Sequence, residues 1–238
     1  MLSYKKNNER EALSMELARL LEIRPGVTAV IGGGGKTTLL RTLGEELAAG
    51  GARVLLCATT KMFPYGDLPN LTAPTEEALE EALASRRLLC AGTPVPGTGK
   101  LTAPGIPMAR LAELADYVLA EADGAAGRPL KAHAAHEPVI PAEANQTVLV
   151  LGASGFGRPV KEAAHRPALY AHLAGVSEDA PAAPETEAAV LLAEGLHDRV
   201  FINQAETAEA RDQAAALAAR LPCPAAAGSL LRREFYLC

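Results

Sequence analysis

Tryptophan is absent, and aromatic residues of any kind supply only 4% of the 238-residue sequence. So few rings leave no stacking platform of the kind a single-strand nucleic-acid binder spreads along its groove. Positive charge is short as well: 23 lysines and arginines against 28 acids give a formal charge of −5, which offers no general field for nucleic acid. Long apolar runs are missing. No stretch reaches the roughly 20 apolar residues of a membrane span, and residues 1–22, although they carry Lys5, Lys6 and Arg10, hold no uninterrupted apolar core of signal-peptide length. Cysteine is scarce and scattered, since Cys57, Cys90, Cys223 and Cys238 include no C-x-x-C pair. That spacing disfavours a cysteine metal site. The first three read as small core residues and Cys238 as an exposed terminus. The expectation is a cytoplasmic protein with neither a nucleic-acid nor a membrane partner.

What is present is apolar and regularly spaced. An apolar content of 49% over this length is enough for one full α/β core. Ser14 to Leu21 reads as a short amphipathic helix that Pro25-Gly26 breaks, so residues 1–24 are taken as a helical extension and 25–238 as a single nucleotide-binding domain. Strands are predicted at Val27–Ile31, Arg53–Ala58, Arg87–Ala91, Asp116–Ala120, Thr147–Leu151 and Arg199–Asn203. Between them, after Lys36 and at Glu76–Ala84, Met108–Leu114, Glu187–Glu194 and Ala208–Leu221, the spacing is helical, and the alanine-rich stretches read as ordinary helices. Such alternation predicts an α/β fold of P-loop NTPase-like type, a mainly parallel sheet with helices on both faces. Gly92–Gly105 reads as a hairpin or surface loop, and Asp179–Glu185 as a mobile linker.

The strongest chemical signal is Gly32-Gly33-Gly34-Gly35-Lys36-Thr37-Thr38, set directly between an apolar strand and an amphipathic helix. Glycines let successive backbone N–H groups turn inward, and a helix N-terminus adds partial positive charge, so the segment suits phosphate. Lys36 is then expected at the β- and γ-phosphates of ATP or GTP, with the Thr37 hydroxyl on Mg²⁺. The spacing is two residues shorter than the common G-x-x-x-x-G-K-[ST] form, because Val30 stands five before Gly35. This short form is similar to the ATP site of the Mur ligases, which implies a rival activity: a small-molecule kinase or ligase that activates its substrate by phosphorylation.

Other candidates lie at predicted strand ends, where an open α/β sheet presents its ligands. Asp123, just past one strand, is the first choice for the acid that completes the Mg²⁺ site, and Glu121 the second. Thr60 and Lys61 sit where they can approach Mg²⁺ or the γ-phosphate, or where the hydroxyl only bonds local backbone. Asn203 and Glu206, in N-Q-A-E, are positioned either to read a purine base or, for Asn203, to cap the next helix. Gln204 replaces the lysine of the N-K-x-D motif, so the base stays unassigned. His133 and His136 give H-x-x-H, a spacing open to a metal, though Pro138 and Pro141 argue for loop. Arg128, Lys131, His136 and Glu137 form a segment suited to a substrate or partner.

Taken together, V-I-G-G-G-G-K-T-T (30–38), A-T-T-K-M (58–62), E-A-D-G-A-A-G-R-P-L-K (121–131), H-E-P-V-I-P (136–141), H-R-P (165–167) and N-Q-A-E (203–206) are similar to the YqeC family. Members of that family are described as accessory factors for selenium-dependent molybdenum hydroxylases, or as selenium cofactor biosynthesis proteins. The resemblance implies a nucleotide-dependent maturation step, with a molybdenum hydroxylase client or a selenium donor as partner. His133 stands where the family more often has proline, which counts against a two-histidine metal site.

Overall fold

The computed structural model describes residues 16–238. Ser14 and Met15, the start of the predicted first helix, lie outside them. A short helix α1 (Leu17–Leu20) leads into β1 (Gly26–Gly32), α2 (Lys36–Ala49) and β2 (Val54–Ala58). The chain continues through β3 (Asn70–Thr72), α3 (Glu76–Ser85), β4 (Leu88–Val95), β5 (Lys100–Thr102), α4 (Met108–Leu114) and β6 (Tyr117–Glu121). After β7 (Leu130–Lys131) come β8 (Ala144–Gly152), α5 (Val160–Ala163), β9 (Ala164–His165), α6 (Pro167–Ala174) and α7 (Pro184–Glu194). The last elements are β10 (Arg199–Asn203), α8 (Ala208–Ala218), β11 (Ala225–Ser229) and β12 (Glu234–Leu237).

The main sheet runs β12-β11-β10-β8-β1-β6-β2-β4-β3, with β5 on β4. Every pairing from β3 to β11 is parallel, and only β12 on β11 and β5 on β4 are antiparallel. Strand side chains alternate between faces, and here both faces are apolar. Val30, Val148, Val150 and Phe201 point to one face, where α1 and α2 cover them with Leu17, Leu39, Leu40 and Leu43. Ile31, Leu149, Leu151 and Ile202 point to the other, under α6, α7 and α8. On that same face, Val27, Leu55, Cys57 and Val118 pack under α3 and α4. Each fully buried leucine or valine is worth about 1.5–3 kcal/mol, so burial from both sides is what fixes the sheet. The fold is P-loop NTPase-like α/β, as the sequence pattern implied.

Three local expectations meet a different outcome or a sharper one. Ala225–Ser229 is alanine-rich yet forms strand β11, because Pro222 and Pro224 end the preceding helix and the segment is buried beside β10. Residues 179–185 are anchored at two points: Ala182 is buried and its N–H donates to the Arg158 carbonyl, and buried Pro184 opens α7. Gly92–Gly105 includes the β4–β5 hairpin. Leu17 and Leu21 of the N-terminal segment sit in the core, where the Ala18 N–H donates to Glu46 of α2 at 2.8 Å.

Candidate functional site

Only Gly33, Gly34 and Gly35 separate β1 from α2. Gly34 has φ 65°, and a Cβ placed on it would lie 2.2 Å from the Gly152 nitrogen. Gly35 has φ 126°, and its Cβ would meet the Asn203 amide at 2.8 Å. Conformation and close approach therefore both demand glycine here. Two other helices begin with a capping hydroxyl, Thr75 for α3 and Thr207 for α8. At α2 the cap is Gly35, which has no side chain to do this. The first backbone bond of α2 is Leu39 N–H to Gly35, so the N–H groups of Lys36, Thr37 and Thr38 have no acceptor among the described residues. Unmatched donors at a helix start form an anion site.

Lys36 is 6% exposed, and its ammonium donates to the Gly32 carbonyl at 2.6 Å and lies 3.1 Å from Asp123 Oδ1. Asp123 is fully buried behind the loop. Its Oδ2 accepts from the Gly32 N–H at 2.9 Å and lies 2.8 Å from both Lys131 Nζ and His133 Nε2. Burial alone would raise this carboxyl, but the His133 bond and the Lys36 and Lys131 charges hold it well below the usual carboxylate range. The other His133 nitrogen, Nδ1, is 2.7 Å from Glu194 Oε2 on α7. Burial opposes protonation of this imidazole, yet the bonds to Asp123 and Glu194 outweigh it and raise the pKa. Lys131 also reaches Glu137 at 2.8 Å, and Glu137 pairs with Arg166. A buried chain of alternating charge thus runs beneath the loop.

Glu121 takes a different position. Its Oε2 accepts a hydrogen bond from the Thr37 hydroxyl at 3.1 Å, and both side chains line the cavity in front of the loop. Burial raises the Glu121 carboxyl, opposed by the charge of Lys36 and the Thr37 bond. Asn203 Nδ2 donates to the Gly34 carbonyl at 2.7 Å, and its Oδ1 accepts from the Leu230 N–H at 3.1 Å. It therefore ties the glycine loop to the segment after β11, while Thr207 caps α8.

The cavity has a volume of about 740 Å³. Gly33 to Thr38 form its floor, with Glu121, Lys61, Arg128, Asn203 and Glu206 among its walls. Arg158, a cation that the sequence offers for phosphate, lines it too, whereas sequence reasoning missed Phe63, Lys100 and Leu231. These lie far apart in the chain and belong to no motif. Thr60, Lys131, His136 and Glu137 are not part of the wall. Lys131 and Glu137 belong to the charge chain below, and the Thr60 hydroxyl is buried without a partner among the described residues. His136 lies on the exposed side, 3.3 Å from Arg166. His133 and His136 therefore face different partners. Among the described residues no group of three His, Cys, Asp or Glu side chains is placed to hold a metal on protein ligands alone.

A parallel sheet, a glycine turn at its central strand and a helix with unmatched N-terminal donors together define a P-loop NTPase-like α/β protein. The chain belongs to the YqeC protein family, whose pattern matches residues 28–168. A relative from Escherichia coli (strain K12), described as "Uncharacterized protein YqeC", is 37% identical over 163 residues, covering 66% of this chain and 64% of its own length. The match thus spans just under two thirds of that relative. Among solved structures, FtsY from Mycoplasma mycoides aligns with a TM-score of 0.46 at 14% identity, covering 91% of this chain and 64% of that one. The hydrogenase maturation factor HypB from Archaeoglobus fulgidus aligns with a TM-score of 0.42 at 14% identity, covering 95% and 93%.

Proposed function

We propose that this protein binds a nucleoside triphosphate, ATP or GTP, together with Mg²⁺, and uses hydrolysis or exchange to drive a maturation step on a client enzyme. The observation that carries the reading is the set of unmatched N–H groups at Lys36, Thr37 and Thr38, opening onto a cavity that Lys36 also lines. An ammonium has three donors. Gly32 and Asp123 anchor that of Lys36 from behind, which leaves donor capacity toward a phosphate oxygen in front. Asp123 is on this reading a positioning residue, which fixes Lys36 and the Gly32 amide rather than meeting the metal.

The donor set in front of the loop suits Mg²⁺, which is commonly held by one or two protein oxygens plus substrate phosphates. Thr37 and Glu121 would hold it. When bound, the ion neutralises charge that develops on the transferred phosphoryl group. Asn203 holds the loop through Gly34, and Glu206, which lines the same cavity, would meet the base. The resemblance carried by the motifs supplies the setting: an accessory role for a selenium-dependent molybdenum hydroxylase, in the cytoplasm. A small-molecule kinase or Mur-like ligase is the second reading, favoured by the cations Lys61 and Arg128 in the same cavity.

A thermal-shift series with ATP, GTP and their diphosphates, with and without Mg²⁺, tests the binding step. A rise in melting temperature with one triphosphate, larger with Mg²⁺, is expected. No shift with any nucleotide would refute the reading. Turnover then separates the two activities: slow hydrolysis that a molybdenum hydroxylase or selenium donor accelerates fits the maturation role, and fast turnover with a small acceptor fits the kinase or ligase.

A further inference from the structure

The strand order places β1 in the middle of the cavity floor, with β8 and β10 on one side and β6 and β2 on the other. Neighbouring strands lie about 4.8 Å apart, so the axes of β10 and β2 are each about 10 Å from that of β1, in opposite directions, and the loop leans to the β10 side, where Asn203 bonds Gly34. A triphosphate anchored on that loop with its base toward Asn203 and Glu206 occupies the β10 side. It leaves the β2 side uncovered.

That uncovered side is cationic and partly apolar. Lys61 and Phe63 follow β2, Lys100 opens β5, and all three line the cavity. The Lys100 ammonium sits 4.8 Å from the centre of the Phe63 ring, which is 60% exposed. Neither lysine has a carboxylate within ion-pair distance among the described residues. Around the whole cavity, five cations (Lys36, Lys61, Lys100, Arg128 and Arg158) face two carboxylates, Glu121 and Glu206. In a chain of net charge −5 this local excess needs an anionic occupant. The glycine loop, Lys36 and a metal suffice for one triphosphate, so Lys61 and Lys100 are in excess of what its phosphates need.

We propose that Lys61, Lys100 and Phe63 form a second ligand subsite, on the β2 side of the glycine loop, for a small anion whose phosphate or carboxylate adjoins a flat apolar part. The ammonium groups take the anion, and the exposed ring takes the flat part. The subsite rests on the nucleotide reading only in being second: it is filled alongside the triphosphate.

Calorimetric titration of phenyl phosphate, benzoate and inorganic phosphate tests this, each run into the protein alone and into protein saturated with Mg²⁺ and a non-hydrolysable triphosphate analogue. Phenyl phosphate or benzoate is expected to bind the saturated protein at one site, and whichever binds names the anion. The Lys61→Ala/Lys100→Ala variant should lose at least tenfold in that affinity, and Lys100→Ala alone should weaken it while triphosphate affinity changes less than threefold. Phe63→Ala should erase the preference for phenyl phosphate over inorganic phosphate. Both variants should melt within about 2 °C of wild type, since exposed or half-buried side chains at the cavity rim without ion pairs contribute little to stability. Binding that merely competes with the analogue, that is unchanged in the double variant, or that is missing altogether overturns the subsite and leaves the nucleotide reading standing. If the analogue itself fails to bind, the nucleotide reading falls. The titration into protein alone then decides: saturable binding sensitive to Lys61 and Lys100 but not to Lys36→Ala supports the subsite, and its absence overturns it.

Discussion

Single side chains carry two separable duties at the glycine loop. Lys36 is both a proposed phosphate ligand and one of three cationic partners of buried Asp123. Lys36→Ala is therefore expected to cut triphosphate affinity by at least 100-fold and also to cost roughly 1–3 kcal/mol of stability, less than the full loss of a buried pair because Lys131 and His133 remain. Equilibrium binding and denaturant unfolding read the two effects apart. The acids divide in the same way. Glu121→Gln should weaken binding in Mg²⁺ by more than tenfold and leave Mg²⁺-free binding nearly unchanged, whereas Asp123→Asn should weaken both alike and lower the melting temperature. The reverse pattern would return the metal to Asp123. The sequence could not separate these two acids, because residues 121 and 123 share strand parity. What distinguishes them is the set of partners, Lys131 and His133, that folding brings behind the loop.

At the scale of elements, α7 and the end of β6 are joined through His133, which bridges Asp123 and Glu194. Its pKa is raised in the folded protein, so its stabilising contribution is fully present below the unfolded value near 6.5 and is lost as pH rises through the folded value. Glu187, on the same helix, is pushed up to about 8 by burial, against the bond from Tyr170. A carboxyl raised in this way also makes the fold weaker as pH climbs from about 4.5 toward 8. The melting temperature should accordingly fall between pH 6 and 9. His133→Gln and Glu187→Gln should each make that fall shallower, by about 1.4 kcal/mol for every pKa unit removed, and an unchanged slope in both variants would show that neither group titrates in the window. None of this chain was legible beforehand, since His133 with His136 suggested a metal and α7 showed only helical spacing. Six strands, β1, β2, β4, β6, β8 and β10, were legible, because burial on both faces writes them as continuous apolar runs. Strand β11 was missed because alanine favours helix only weakly and its neighbours decide.

Across the whole molecule, the sheet brings the ends of β1, β2, β6, β8 and β10 to one edge, and the cavity lies there. Sequence order revealed the loop because it is local: four glycines, a lysine and two threonines in a row. The far walls were hidden because Phe63, Lys100 and Leu231 converge only through the topology. Amide chemical shifts of isotopically labelled protein, followed while Mg²⁺ and a non-hydrolysable triphosphate are added, test the central claim most directly. The largest changes are expected at Gly33, Gly35, Lys36, Thr37 and Thr38. Changes confined to other parts of the sheet, or none at saturating ligand, would contradict the assignment of this helix start as the phosphate site.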